Sequence, residues 1–168
     1  QGTSGKPERD QKSILLSAGR SYLFNRVLAR RVEAGNWDKP VEGDCFVLAG
    51  SASTFRYGAA TLEELQQRLL AWDIHPTGPM WGRGNIPSSG EALALETLVT
   101  TEYPALCSGL LQHGLEHARR SLRLQVQGLE AEQAGNTLTL RFELVSGSYA
   151  TAVLRELMDY RDAMAFDA

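Results

Sequence analysis

The sequence predicts an α+β fold, a mainly helical first part followed by a β-hairpin and a closing helix. Three observations predict it. Apolar residues recur at helical spacing over residues 13–33, and shorter helical stretches follow. From residue 121 the period drops to two. Leu122, Leu124 and Val126 alternate with Ser121, Arg123 and Gln125, and Leu138, Leu140, Phe142 and Leu144 alternate with Thr137, Thr139, Arg141 and Glu143. After them, SGSYATAVLREL returns to a helical pattern.

Taken in order, the first dozen residues, QGTSGKPERDQK, are polar and glycine-bearing and read as a linker over 1–12. On the wheel of 13–33, Ile14, Ala18, Tyr22, Ala29 and Val32 share one face. Leu16, Leu23, Phe24 and Val27 lie elsewhere round it, which predicts a helix buried on more than one side. Asn25 falls in the middle of the first face. A buried amide must be hydrogen-bonded, so Asn25 reads as tying down a nearby loop, with RNA contact as the alternative. Residues 35–43 read as a loop, 44–49 (DCFVLA) as a short strand and 50–53 as a turn. Thr61 is placed to cap a helix over 62–72, with Glu63 and Glu64 in the first turn where the helix dipole favours negative charge.

Residues 73–90 hold three prolines and four glycines, which predicts a loop. Ser88 or Ser89 caps the next helix, which carries EALALE and runs to about residue 100. Further helical turns are expected over 104–112 and 115–120. The alternating segments 121–127 and 137–144 are then expected to pair antiparallel and face one core, with the glycines at 128 and 135 in the loop between them. Ser146 or Ser148 caps the last helix, and the end from Arg161 reads as loose.

Composition bounds the function. At 168 residues, 43% hydrophobic and 22% charged, the chain has material for a real core and fits one domain, or one plus a fragment of another. The net charge of −3 excludes a generally basic nucleic-acid binder. The charge is uneven, however: residues 1–31 carry seven cations against two carboxylates. Salt screens charges beyond about 10 Å, so such a stretch contacts phosphates locally or forms a solvated face. Cys45 and Cys107 make no disulfide framework and read as reduced thiols of a cytoplasmic protein. There is no apolar run long enough to span a membrane. The start at Gln1, without an initiator methionine, reads as a piece of a longer protein.

Searched for chemistry, the residues alone yield little. His113 and His117 stand at helical ligand spacing, but Gly114 lies between them and no third ligand is evident. His75 is a lone histidine with no marked nucleophile to serve. Met80 with Trp81 reads as a hydrophobic plug. No GxSxG, P-loop or GxGxxG run occurs.

Five segments, in order, do resemble one family. KSILLSAGRSYLFNRVLARRV (12–32), GDCFVLAGSASTF (43–55), GPMWG (78–82) with EALALE (91–96), ARRSLRL (118–124) and GSYATAVLREL (147–157) resemble stretches of the TruD family of tRNA pseudouridine synthases. The resemblance covers residues 12–157, and the last segment is its most specific. It implies isomerisation of uridine 13 in the D-arm of tRNA without cofactor or metal. The uracil is detached from C1′, turned and rejoined through C5, with an aspartate carboxylate as the essential group. Work on a base in folded RNA requires flipping, and a flipped base is held well by an aromatic ring.

The resemblance places that ring at Tyr149, where the family often has phenylalanine; the alternative is a residue anchoring the last helix in the core. The family's glycine-lysine-aspartate motif has no counterpart here, so no catalytic residue is assigned in this chain, and an N-terminal catalytic segment is the expected missing partner. Residues 13–124 would be the family's inserted domain, and 125–168 the end of its catalytic domain, the hairpin completing the catalytic sheet. Candidate RNA contacts are Arg20, Arg26, Arg30, Arg31, Arg119, Arg120 and Arg123. A non-catalytic RNA-binding domain and a protein-interaction fragment remain the alternatives.

Overall fold

The computed structural model describes residues 6–145 and 148–158, with the backbone alone for 6–10. Ser146, one of the two expected caps, and the tail from Arg161 lie outside the described residues. The chain forms two compact units, Gln1–Arg123 and Leu124–Ala168.

The first unit opens with α1, Lys6–Glu33. Residues 6–12, expected as linker, are its first turns. The helix buries Leu23, Phe24, Val27 and Arg31, a stripe at helical spacing. Ile14, Tyr22 and Val32, from the face expected to be apolar, are exposed, and so is Asn25. Asn25 is therefore not the buried amide expected to tie down a loop. The wheel failed here because apolar residues ring the whole helix, and only the partners select which stripe is covered.

Strands β1 (Cys45–Leu48), β2 (Thr54–Arg56), β3 (Ile74–Met80) and β4 (Ala118–Ser121) form an antiparallel sheet in the order β2-β1-β3-β4. β3 corrects the first half of the expected loop over 73–90, while residues 81–89 form no helix or strand. Two prolines normally exclude an inner strand, because each lacks a ladder donor. Here β3 divides its pairing along its length: β1 pairs with residues 74–76 and β4 with residues 77–80. Pro76 still accepts through its carbonyl, from the Leu122 N–H at 2.8 Å. β4 likewise replaces the helical turns expected over 115–120. It ends where the Ser121 hydroxyl donates to the Arg123 carbonyl at 2.7 Å and accepts the Arg123 N–H at 3.1 Å, turning the chain.

Helix α2 (Leu62–Leu70) starts as the sequence predicts. Thr61 Oγ1 accepts the Glu64 N–H at 3.2 Å, and the Glu64 carboxylate accepts the Thr61 N–H at 2.7 Å. Leu65 and Leu69 pack on Phe46 and Ile74 of the sheet. Helix α3 (Gly90–Glu102) has Ser89 at its N-cap without a side-chain bond, while Ser88 is buried and donates to Glu96 at 2.7 Å. Helix α4 (Pro104–Gln112) begins on proline, whose missing N–H is no loss in a first turn. Val99, Cys107 and Leu110 close a core with Leu23 and Val27, and Trp81 packs against it. Met80 joins a second cluster with Phe24 and Leu122. In GPMWG, Gly82 lies so close to the backbone of Leu115 and Glu116 that a Cβ would stand 2.4 Å from the Glu116 carbonyl carbon. Both cysteines are free and buried, and burial raises both thiol pKa values.

In the second unit, β5 (Gln127–Ala134) pairs antiparallel with β6 (Thr137–Glu143) through the register Ala134↔Thr137 and Ala131↔Leu140. The hairpin exists, but with a different first strand from the expected 121–127. Leu122 belongs to the core of the first unit, and residues 122–126 form no strand. The segment expected as the loop around Gly128 is β5 itself, and the turn is only Gly135 and Asn136. Gly135 has φ +58° and Asn136 does not, the pattern of a two-residue turn with glycine first. Helix α5 (Ala150–Leu157) has Tyr149, rather than Ser148, at its N-cap.

Candidate nucleic-acid interface

The seven candidate arginines fall into different roles once the fold is formed. Arg31 is interior. Its guanidinium bonds the Asp44 carboxylate at 2.8 and 3.1 Å and donates to the carbonyls of Asn36 and Lys39. Asp44 also accepts the Val41 N–H at 2.8 Å. Both side chains are at most 3% exposed, so this pair fastens the 35–44 loop onto α1 and has no surface to offer RNA. Arg119 is equally withdrawn. It pairs with Glu96 at 2.8 Å and donates to Thr77 Oγ1 and the Thr77 carbonyl at 3.0 and 2.6 Å. For these two residues the expectation of RNA contact is corrected. A buried carboxylate requires a partner, and each of these guanidiniums serves one.

Arg30 pairs with Glu102 across α1 and α3. Arg123 donates from Nη2 to the carbonyls of Leu69 and Ile74 at 3.0 and 2.9 Å and lies 3.1 Å from His75 Nδ1. His75 therefore sits on β3 in contact with a cation, and burial followed by that charge lowers its pKa. Arg26 is half-buried, with no ion pair among the described residues and its Nε without a partner.

Arg20 and Arg120 remain, and the fold brings them together from positions a hundred residues apart. Arg20 Nη2 donates to the carbonyls of Met80 at 2.9 Å and Glu116 at 2.7 Å, which fixes it over the end of β3. Its Nε has no partner. Arg120 Nη1 donates to Ser21 Oγ at 3.3 Å, and its guanidinium lies 5.3 Å from the centre of the Phe24 ring. Burial, and then the neighbouring Arg120 charge, lowers the Arg20 pKa. Neither guanidinium has a carboxylate partner among the described residues. His117 is beside them. Burial first, then the Arg119 and Arg20 charges, push its pKa down to about 4, so the ring is neutral at physiological pH, and its Nε2 has no partner. Two adjacent, anchored, uncompensated guanidiniums are the arrangement that a phosphate neutralises. Ser21 and His117 were not singled out for this surface in the sequence, since no local pattern joins residues 20, 21, 117 and 120.

Tyr149 lies in the second unit, 61% exposed and with no side-chain capping bond. Among the described residues no group of three histidine, cysteine or acidic side chains is placed to hold a metal ion. No described helix is long and apolar enough to cross a membrane.

Comparison with known proteins supplies the context. The family model for tRNA pseudouridine synthase D (TruD) matches residues 6–157. A tRNA pseudouridine synthase D of Methylococcus capsulatus is 47% identical over 91% of this chain and 43% of its own length. One from Nitrosococcus oceani is 45% identical over 96% of this chain and 46% of its own, and one from Xanthomonas campestris is 49% identical over 92% and 42%. The chain thus spans less than half the length of these curated relatives. A crystal structure assigned as a tRNA pseudouridine synthase D from Methanosarcina mazei superposes with a TM-score of 0.68 at 28% identity, covering 82% of this chain and 36% of that one.

Proposed function

We propose, from the premise that this chain belongs to the TruD family of tRNA pseudouridine synthases, that it is the tRNA-contacting and pocket-closing portion of an enzyme that isomerises uridine 13 in the D-arm of tRNA. The observation that carries this reading is the match along residues 6–157, nearly all of the chain, together with identities near one half to proteins of that name. In the reaction the N1–C1′ bond of uridine breaks and a C5–C1′ bond forms; the C5 proton is lost and N1 gains one. Nothing is added or oxidised, so the chemistry needs positioning and proton transfer and no redox group.

On this reading α1 through β4 are the inserted domain, residues 13–124, and residues 125–168 finish the catalytic domain. The division into compact units at Arg123 and Leu124 supports that assignment. So does the hairpin, which leaves Leu129 and Leu138 exposed as a face for the rest of the catalytic sheet. Arg20 and Arg120 neutralise a backbone phosphate, and Arg26 adds charge on the same helix. Tyr149 stacks on the flipped uracil. The catalytic aspartate comes from outside these residues, since the family's glycine-lysine-aspartate motif is not among them.

The test is pseudouridine formation in an unmodified tRNA transcript. The full-length protein should turn over and the 168-residue chain should not. Turnover by the chain alone would overthrow the assignment of the catalytic group. A full-length protein that binds tRNA and leaves every uridine unmodified would favour a non-catalytic RNA-binding domain.

A further inference from the structure

We propose that Trp72 is a stacking platform for an unpaired base of the bound tRNA, formed by residues other than Tyr149 and the Arg20–Arg120 pair. This rests on the reading of the chain as part of a tRNA-modifying enzyme. The argument begins at the end of α2. The Asp73 N–H donates to the Arg68 carbonyl at 3.0 Å, and the Trp72 N–H donates to the Leu69 carbonyl at 3.2 Å. This double closure places residue 72 just past the helix cap, in the left-handed conformation that glycine normally supplies. Trp72 has φ +59°, and among the described residues it is the one non-glycine with positive φ. A bulky side chain there is strained, and such strain persists only where the surroundings impose it, often at binding sites.

Burial does not explain the tryptophan. Leu65 and Leu69 make the contacts of α2 with the core, whereas Trp72 stays 39% exposed. What surrounds it is a built platform. The Arg123 guanidinium lies 4.3 Å from the indole centre, fixed by its bonds to the Leu69 and Ile74 carbonyls and its contact with His75 Nδ1. The His75 ring meets the indole edge-on, with centres 5.9 Å apart. Asp73, the nearest carboxylate in sequence, is engaged by Arg68 at 2.5 Å. Arg123 makes no ion pair among the described residues, although the Asp38 charge reaches it, so the ring is displayed beside an immobilised cation without a direct carboxylate contact. A flat aromatic with a cation behind it suits a nucleobase, whose π-face stacks on the ring while the adjoining phosphate meets the positive field. The base must be unpaired, because a duplex hides its base faces.

The experiment uses the full-length enzyme and an unmodified tRNA transcript. Trp72→Gly removes the ring and relieves the backbone, whereas Trp72→Phe keeps a smaller aromatic plane. The glycine variant should melt no lower than the wild type and bind tRNA about ten- to a hundredfold more weakly, the loss expected for one stacked base. The phenylalanine variant should recover part of that loss. Ultraviolet crosslinking of the wild-type complex, read by mass spectrometry, should place a nucleotide adduct on the peptide carrying Trp72. A folded Trp72→Gly enzyme with wild-type affinity overturns the proposal and leaves the broader reading standing, as does a phenylalanine variant no better than glycine. A wild-type enzyme that does not bind tRNA overturns the broader reading itself. If the glycine variant does not fold, the crosslink decides, and the absence of an adduct at Trp72 overturns the proposal.

Discussion

Arg31 and Arg20 sit three turns apart on one helix, yet one guanidinium is paired with a buried carboxylate and the other bonds only backbone carbonyls among the described residues. Removing Arg31 strands the Asp44 carboxylate, which is 1% exposed, and cuts the ties to the Asn36 and Lys39 carbonyls. Arg31→Ala should therefore lower unfolding stability by about 3–5 kcal/mol, read from urea melts, while Arg26→Ala should stay within about 0.5 kcal/mol. His117 gives a pH signature. Its folded pKa, about 4, lies below the ordinary value of 6.5, so the unfolded chain binds the proton first as pH falls. Stability from the neutral ring is complete above pH 6.5 and is lost as the pH drops toward 4. Urea midpoints of the wild type should fall over that window by more than those of His117→Asn, with a difference of at most one bound proton. Tyr149 is exposed at the start of α5, and on the proposed reading its ring stacks on the flipped base. In the full-length enzyme Tyr149→Ala should reduce kcat/KM about ten- to a hundredfold with little change in the urea midpoint, and Tyr149→Phe should be nearly harmless. A large midpoint drop with full residual activity would make the ring structural.

At the scale of the elements, the short-range rules were the reliable ones. The reciprocal bonds of Thr61 and Glu64, and the proline opening α4, are decided within four residues. The hairpin turn is equally local. Gly135 holds φ +58°, where an L side chain is strained, so Gly135→Ala should destabilise the second unit by roughly 1 kcal/mol or more. Hydrogen exchange of the β5 and β6 amides would show it as faster opening confined to the hairpin, and unchanged exchange would mean that the turn accommodates alanine freely. The period of two in β6 was legible, with Leu140 and Phe142, and Leu144 just beyond the strand, half-buried, although Leu138 of the same alternation is exposed. Its partner was not. Leu122, Leu124 and Val126 alternate just as well, but the Ser121 hydroxyl turns the chain and Leu122 goes into the core with Phe24 and Met80.

For the chain as a whole, the net charge of −3 means that these 168 residues supply no general positive field. On the proposed reading the contribution of these residues to tRNA binding is local, through anchored cations such as Arg20 and Arg120. In the full-length protein, Arg20→Gln and Arg120→Gln should each weaken tRNA binding and reduce the slope of log K against log salt by about one. Equilibrium binding at several salt concentrations measures it, with urea melts as the control for the bonds Arg20 makes to Met80 and Glu116. Slopes equal to the wild type would return both residues to a solvated face.

By itself the sequence determined the α+β class, the capped start of α2, the alternating strand β6 and, through five ordered segments, the family. Each depends on residues close together in the chain. The tertiary structure decided which stripe of α1 is covered, that the proline-bearing 74–80 segment is a strand, and which arginines are interior. Those outcomes depend on partners far away in sequence: Arg20 on Met80 and Glu116, Arg119 on Thr77 and Glu96, and Arg123 on Leu69 and Ile74. A guanidinium carries the same charge and the same donors in either setting. Only the presence of a buried carboxylate or carbonyl beside it determines whether those donors are satisfied by the protein or left for phosphate.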